Sequence, residues 1–214
     1  MYKIYTKEQI PQRSDVWFEI RANKLTASSA DKIVTNGVGL KTYCYELVAE
    51  FLSKEKPEQI PNENILRGVE LEEQAATYCS LLTGQNWQEI GFVEVNNHVG
   101  CSPDRVVLED DKISKILEIK CPNNKNFLEL LVTQNIPKNY ISQMNFQMMC
   151  CEVEKATFFS YNQNIYPYYF MREINRDEEL IAKIKKGIDD GTNLIKEIIC
   201  NYEKIKGGNN GKIL

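Results

Sequence analysis

The segment Ile116-Leu117-Glu118-Ile119-Lys120-Cys121-Pro122 carries two charged side chains within an otherwise apolar run. A strand that is apolar on both faces is typical of the interior of a sheet. Glu118 and Lys120 stand two positions apart, so in a strand they share one face while Ile119 points to the other. Two charges in a buried strand are costly unless they have partners or a chemical role. The segment therefore predicts an interior strand and favours a functional site on it.

A further acidic residue precedes this strand in the sequence Ser102-Pro103-Asp104. A turn at residues 109–111 would join the two segments as a hairpin and bring Asp104 beside Glu118. Two converging carboxylates form a hard-oxygen site that suits Mg²⁺ or Mn²⁺. Lys120, on the same face, can orient or deprotonate a water, or stabilise the charge that develops on a phosphate. By spacing alone, a solvated strand face with a Glu118–Lys120 ion pair is the simpler alternative.

Hydrophobic periodicity outside this region predicts helices, then a meander of strands, then further helices around it. Helices are expected from Ser14 or Asp15 through Leu25, and over residues 42–52, 64–82, 127–132, 140–151 and 177–202. Strands are expected over residues 87–95, 98–108 with a turn at Pro103, 113–119, 156–161 and 166–171. This order predicts an α/β or α+β fold with a mixed central sheet. We expect one domain over residues 1–206 and a disordered tail at residues 207–214.

Composition places the chain among globular proteins. It has 214 residues, of which 43% are hydrophobic and 26% charged, as in one domain of ordinary to large size. No apolar run is long enough to cross a bilayer and no secretion signal is evident, so we expect a cytoplasmic location and no membrane partner. The net charge of −4 argues against a general attraction to nucleic acid. A DNA enzyme of this charge must concentrate its basic residues on one surface.

The cysteines and the histidine indicate little chemistry of their own. Seven cysteines, irregularly spaced and without a C-x-x-C pair, disfavour a disulfide framework and a zinc site. Reduced, mostly buried thiols are expected, with an iron–sulfur cluster as the less favoured alternative. The sole histidine, His98, is interpreted as structural, which disfavours a histidine-based nuclease or phosphatase mechanism.

Several sequence blocks occur in an order that is more specific than any one of them. They are Trp17 with Ile20-Arg21 and Leu25-Thr26-Ala27-Ser28, Gly68 with Glu72, Ala75 and Tyr78, Cys101-Ser102-Pro103-Asp104, Leu117-Glu118-Ile119-Lys120-Cys121-Pro122, and Tyr140 with Gln143 and Gln147. With these blocks the chain resembles the phage lambda exonuclease and YqaJ-type viral recombinase family, within the PD-(D/E)xK nuclease superfamily. The resemblance covers most of the chain and implies a restriction-endonuclease-like core.

The resemblance also implies catalytic roles. Asp104, Glu118 and the backbone carbonyl of Ile119 would bind the metal, which is Mg²⁺ with Mn²⁺ as an alternative. Lys120 would position or activate the nucleophilic water. Glu72 matches the upstream acid of the family and would bind metal through water or help to order the site.

A phosphate-binding pocket follows from the same resemblance. Arg21, Ser28 and Ser102 match residues that hold the 5′-phosphate of a DNA end, and an arginine fork with two hydroxyls suits a terminal phosphate chemically. Gln143, on the helix after the core strands, is assigned to both the catalytic site and this pocket. The chain departs from the family at Arg105, where glycine is frequent. A side chain there could add a phosphate contact or narrow the turn.

The function implied by the resemblance is Mg²⁺-dependent 5′ to 3′ digestion of one strand of linear duplex DNA from a 5′-phosphorylated end. It includes a ring-shaped homotrimer, passage of the 3′ strand to a single-strand annealing protein, and a phage, prophage or viral origin, hence the bacterial cytoplasm. Lys41, Lys54 and Lys125 are candidates for DNA backbone contacts. Two alternatives stay open, namely an endonuclease of the same superfamily and a non-catalytic DNA-end-binding protein.

Overall fold

Two four-stranded sheets form the centre of the fold in the computed structural model, which describes residues 2–54 and 63–208. The first sheet has the order β1 (Lys3–Thr6), β3 (Ile90–Asn96), β4 (Val99–Cys101) and β2 (Leu25–Thr26). The second has the order β5 (Arg105–Glu109), β6 (Lys112–Lys120), β7 (Lys155–Tyr161) and β8 (Tyr169–Asn175). The β2–β4 and β6–β7 pairs are parallel and the other pairs are antiparallel. The predicted mixed sheet is therefore confirmed, in two parts that an isolated bridge between Gln88 and Val106 connects.

The helices surround these sheets. Within the described residues they are α1 (Asp15–Arg21), α2 (Ala30–Thr35), α3 (Val38–Ser53), α4 (Glu63–Thr83), α5 (Asn124–Thr133), α6 (Lys138–Cys151) and α7 (Glu178–Gly208), with a short 3-10 helix at Ala27–Ser29. The helix α2 and the strand β1 have no counterpart among the elements predicted from the sequence. Both are short, and each gains its order from packing on a distant element, α2 on α7 and β1 on β3. Among the described residues, no helix is both long and apolar enough to pass through a membrane.

The first helix ends earlier than its sequence pattern indicates. Ser14 caps α1, because its side chain accepts a hydrogen bond from the Trp17 backbone nitrogen at 3.3 Å. The helix stops at Arg21, and Asn23 then adopts a left-handed conformation with φ of 60°. Asparagine tolerates that conformation better than most residues. The prediction that this helix continues through Leu25 is wrong, since Leu25 pairs with Val99 in the first sheet.

The strand β6 is central in its sheet and covered on both faces. One face packs into the larger core with α6, where Ile116 and Phe158 are buried. The other face packs against α4 through Leu117 and Ile119. An interior strand of this kind explains the continuous apolar run around Glu118. The C-terminal end of β6, where the charged residues lie, is therefore held between α4 and α6.

The last helix packs mainly against α2 and α3. Its residues Ile181, Ile184 and Ile195 are buried, in agreement with the predicted helical spacing. A Cβ atom added at Gly187 would lie 2.1 Å from the Ile33 carbonyl oxygen, so glycine lets α7 approach α2 closely. The helix continues to Gly208, past the expected end at residue 202, and residues 209–214 of the expected tail lie outside the described part of the chain.

Candidate active site

The hairpin of β5 and β6 brings Asp104 to Glu118. Arg105 lies opposite Leu117 in the antiparallel register, so the preceding residue, Asp104, reaches the end of β6. Its Oδ2 atom accepts a hydrogen bond from the Ile119 backbone nitrogen at 2.6 Å. The hairpin and the convergence of the two carboxylates are therefore as the sequence predicts.

Glu118 is fully buried, and every hydrogen bond described for it comes from a positively charged or amide group. Its Oε1 atom accepts from Lys120 Nζ and, at 2.6 Å, from Gln143 Nε2. Its Oε2 atom accepts from Gln147 Nε2 at 2.7 Å. Gln143 and Gln147 are one turn apart on α6, so both amides face the same strand. Lys120 also lies above the ring of Tyr140, with Nζ 5.1 Å from the ring centroid.

Electrostatics in this site favour binding of a cation. Burial, followed by the charge of Glu118, raises the pKa of Asp104 to about 8. Burial alone would lower the pKa of Lys120, but Glu118 and Asp104 outweigh it and raise that pKa. Lys120 is therefore held as a cation in the metal-free protein. It suits the stabilisation of negative charge better than the removal of a proton from water.

The donor set of Asp104 and Glu118 fits Mg²⁺. No group of three or more His, Cys, Asp or Glu side chains able to hold a metal ion is present in residues 2–54 and 63–208. Mg²⁺ is commonly bound by one or two protein carboxylates, with water and substrate phosphate as the remaining ligands. Burial and the charge of Glu118 raise the pKa of Asp104, and a divalent cation held by these carboxylates would stabilise their charged forms. The predicted part of the Ile119 carbonyl in metal binding stays a prediction.

Glu72 reaches the site from α4 but is already ion-paired. Its Oε2 accepts from an Arg13 nitrogen at 2.6 Å and its Oε1 from an Arg105 nitrogen at 3.1 Å. Arg105 is only 5% exposed and also contacts Glu73 at 2.6 Å. The Arg105 side chain, at the position where glycine is frequent in the family, therefore points to α4. Neither Arg13 nor these contacts could be read from the sequence, where the acids of α4 have the pattern of a solvated face.

The predicted phosphate-binding residues lie around one aromatic ring. The Arg21 guanidinium stacks 4.1 Å above the centroid of Trp17 and donates to the Ser28 hydroxyl at 3.2 Å. Trp17 Nε1 donates to the Ser102 hydroxyl at 2.9 Å. Ser102 in turn stands two residues before Asp104, which links this cluster to the carboxylates. Trp17 is half-buried, and its ring orients Arg21 by stacking.

A cavity of about 590 Å³ opens beside this cluster. Arg21, Ser28 and Lys54 line it together with the acids Glu19 and Glu50. Burial lowers the pKa of Arg21. The Arg21 side chain is partly exposed and faces this cavity, so its guanidinium can bind an anion there through charge-assisted hydrogen bonds. Three lysines are predicted to contact DNA, and of these Lys54 lines this cavity.

Gln143 lies beside Glu118, and its assignment to the phosphate pocket stays a prediction.

Comparison with known proteins gives a consistent set of similarities. The family model of the YqaJ-like viral recombinase domain matches residues 16–154. An alkaline exonuclease (LHK-Exo) from Laribacter hongkongensis superposes with a TM-score of 0.81 and 30% identity, over 91% of this chain and 98% of that chain. Its complex with dAMP gives 0.79 and 30%, over 91% and 97%. A phage-related exonuclease from Haemophilus somnus 129PT shares the fold, with a TM-score of 0.65 and 17% identity over 84% and 96%. No curated protein matches the sequence significantly.

Proposed function

The chain belongs to the family of YqaJ-like viral recombinase domains, and on this basis we propose that it is a Mg²⁺-dependent exonuclease acting on linear duplex DNA. The proposal includes 5′ to 3′ direction and preference for a 5′-phosphorylated end. The observation that carries it is the convergence of Asp104, Glu118 and Lys120 at the end of a buried strand. The similarity to an alkaline exonuclease supports the same reaction class.

Asp104 and Glu118 would hold the metal at the end of β6. Bound Mg²⁺ would supply Lewis-acid polarisation of the phosphate and a lowered pKa of its bound water. Lys120, held as a cation by Glu118, would stabilise the negative charge that grows on the phosphate. Gln143 and Gln147 hold Glu118 in one orientation, which would keep its carboxylate in place to hold the metal. Mn²⁺ is expected to substitute, since it prefers the same oxygen ligands.

The cluster of Arg21, Ser28 and Ser102 would bind the 5′-phosphate. Its guanidinium is fixed by stacking on Trp17, so little side-chain entropy would be lost on phosphate binding. Binding of a terminal phosphate beside the carboxylates would place the first phosphodiester bond in the site and make a DNA end necessary. Removal of mononucleotides from that end leaves a 3′ strand, which we propose is passed to a single-strand annealing protein during recombination.

The decisive experiment is a gel time course on linear duplex DNA labelled at either end, with and without Mg²⁺, beside a covalently closed circle. We expect Mg²⁺-dependent digestion of the linear duplex only, with loss of the 5′ label first. Lys120→Ala should abolish digestion, while Lys115→Ala, an exposed lysine on the same strand, should not. Cleavage of the circle would favour an endonuclease. Metal-independent end binding without cleavage would favour a non-catalytic end-binding protein.

A further inference from the structure

Arg105 is a buried cation with three acceptors beside the candidate metal ligands. Its side chain is 6% exposed. One terminal nitrogen donates to the backbone carbonyl of Asp104 at 2.6 Å and to Glu72 Oε1 at 3.1 Å. The other donates to Glu73 Oε2 at 2.6 Å. A guanidinium can make these bonds at once because its donors form a planar fork.

The three contacts differ in solvent exposure. Glu73 is 77% exposed, so that ion pair is screened by water and contributes little. Glu72 is 15% exposed, and Asp104 directly precedes Arg105, which pairs with Leu117 of the buried strand β6. The interaction is therefore strongest on the side facing the carboxylates of the candidate active site. Removing Arg105 would leave Glu72 with Arg13 as its remaining described partner.

The peptide that carries Asp104 is held from two sides. Gln12 Nε2 donates to the Pro103 carbonyl at 3.2 Å, and Arg105 donates to the Asp104 carbonyl. Fixing two successive carbonyls restricts the backbone at Asp104, and with it the direction of the Cα–Cβ bond. The Asp104 carboxylate then meets the Ile119 amide.

We propose that Arg105 is a positioning residue that orients Asp104 through its backbone carbonyl and Glu72 through its carboxylate, without contacting DNA. The inference rests on the proposed function, because it assigns Asp104 to metal binding. It differs from a phosphate-binding role, since a side chain turned inward to α4 cannot reach a DNA backbone. It also differs from a general structural role, which would affect stability alone.

The test compares wild type with Arg105→Lys, which keeps the charge but loses the fork. Calorimetry without DNA measures the Mg²⁺ affinity, and steady-state digestion of 5′-phosphorylated duplex measures kcat and KM. We expect Mg²⁺ affinity and kcat to fall by about ten- to a hundredfold, as for other groups that orient metal ligands. KM and the salt dependence of metal-free DNA binding should stay unchanged. Arg172→Lys, on an exposed arginine of β8, is the matched control.

Two variants separate the parts of the proposal. Glu73→Gln removes the charge from the exposed contact and should leave Mg²⁺ affinity and kcat unchanged. Arg13→Gln removes the second cation from Glu72 at a half-exposed side chain, so it should fold normally and weaken Mg²⁺ binding by a smaller factor. Wild-type Mg²⁺ affinity in Arg13→Gln would contradict the part of the proposal in which Arg105 orients Glu72, and this result can be obtained even if Arg105→Lys does not fold.

Three results would overturn the proposal. One is a lower melting temperature in Arg105→Lys with unchanged kcat and Mg²⁺ affinity, which would indicate a structural role only. Another is weaker DNA binding with a smaller salt slope, which would indicate a phosphate contact. The third is wild-type behaviour in every measurement. Absence of cleavage by the wild type would reject the proposed function, whereas the Mg²⁺ calorimetry of the variants would still decide the role of Arg105.

Discussion

At the scale of single residues, each carboxylate of the candidate site accepts hydrogen bonds from defined partners. Glu118 accepts from Lys120 and two side-chain amides, Asp104 accepts from the Ile119 backbone amide, and Glu72 accepts from two arginines. The partners hold each carboxylate in one orientation in a low-dielectric environment, where an unpaired charge would be costly. Asp104 is the exception, because burial and the charge of Glu118 disfavour its ionised form and raise its pKa.

The raised pKa of Asp104 predicts that Mg²⁺ binding releases a proton. Below a pH of about 8 the metal-free carboxyl is protonated, so Mg²⁺ must displace the proton, and apparent affinity should rise as pH increases towards that value. Titration calorimetry in two buffers of different ionisation enthalpy, at several pH values from 6 to 9, would count the protons.

The raised pKa of Asp104 also affects the stability of the metal-free protein. Because the folded-state pKa lies above the ordinary value for aspartate, the metal-free protein should lose stability as pH rises from about 4 through 8. Asp104→Asn should flatten this slope. A Mg²⁺ affinity independent of pH, together with an unchanged slope in the variant, would show that Asp104 is ionised throughout.

Arg21→Ala should remove the preference for a phosphorylated 5′ end. Wild type is expected to digest a 5′-phosphorylated duplex faster than one with a 5′-hydroxyl, because the guanidinium would bind the terminal phosphate. Loss of one charge-assisted hydrogen-bonding group costs about 1.5–3 kcal/mol, which corresponds to roughly ten- to a hundredfold in rate on the phosphorylated end. Digestion rates of both substrates give the measurement, with Arg172→Ala as control. An undiminished preference in Arg21→Ala would place the phosphate elsewhere.

At the scale of elements, the site depends on β6 being enclosed by two helices. Helix α6 brings Gln143 and Gln147 to one face of the strand, and α4 brings Glu72 to its end. Helices α2 and α7 lie away from these contacts and contribute through packing. Their separation is set by glycine at position 187.

Gly187→Ala should destabilise the protein by about 1–3 kcal/mol, the usual cost of inserting a methyl group into a packed contact. The new Cβ atom would overlap the Ile33 carbonyl, which is backbone and cannot move aside cheaply. Urea unfolding measures the change. Gly68→Ala is the matched control, since that helical glycine has no atom within 4 Å of an added Cβ and should gain up to about 1 kcal/mol. Equal stability of Gly187→Ala and wild type would mean that α7 can shift.

At the scale of the whole molecule, the proposed function requires an acidic chain to bind an acidic polymer. The net charge of −4 gives no general attraction to DNA, so the basic surface must be concentrated where DNA passes. The proposed ring of three chains would do this by placing basic residues in a central channel. Enclosure would also keep the enzyme on one DNA molecule through many cleavage steps.

The ring predicts a trimer in solution. Multi-angle light scattering should give three times the mass of the chain at moderate salt, and the mass should not depend on whether DNA is added. Closed symmetry favours one defined assembly over a mixture of sizes. A monomer at micromolar concentration would rule out the ring, and a dimer would require another arrangement of the channel.

Local patterns in the sequence determined the interior strand, the hairpin and the pairing of Asp104 with Glu118. These features follow from the period of two in a strand, an apolar run and turn residues close in sequence, so each can be read without knowledge of distant residues. The ordered blocks from Arg21 to Gln143 determined the family. Most helices were likewise found from their spacing, although the end of α1 was not, because Asn23 interrupts a helical pattern that continues to Leu25.

Only the tertiary structure decided which partners neutralise the charges. Arg105 meets Glu73 across 32 residues and Arg13 meets Glu72 across 59 residues, and such pairings leave no local pattern. The sequence offered a phosphate contact or a narrowed turn as the role of Arg105, and it did not indicate that Trp17 supports Arg21. In the fold, α4 packs near the hairpin, so that Arg105 pairs with Glu72. Trp17 stacks with Arg21 and supports the proposed phosphate pocket. The physical reason is that a buried charge selects its partner by distance in the fold, whereas periodicity reports only the face on which a residue lies.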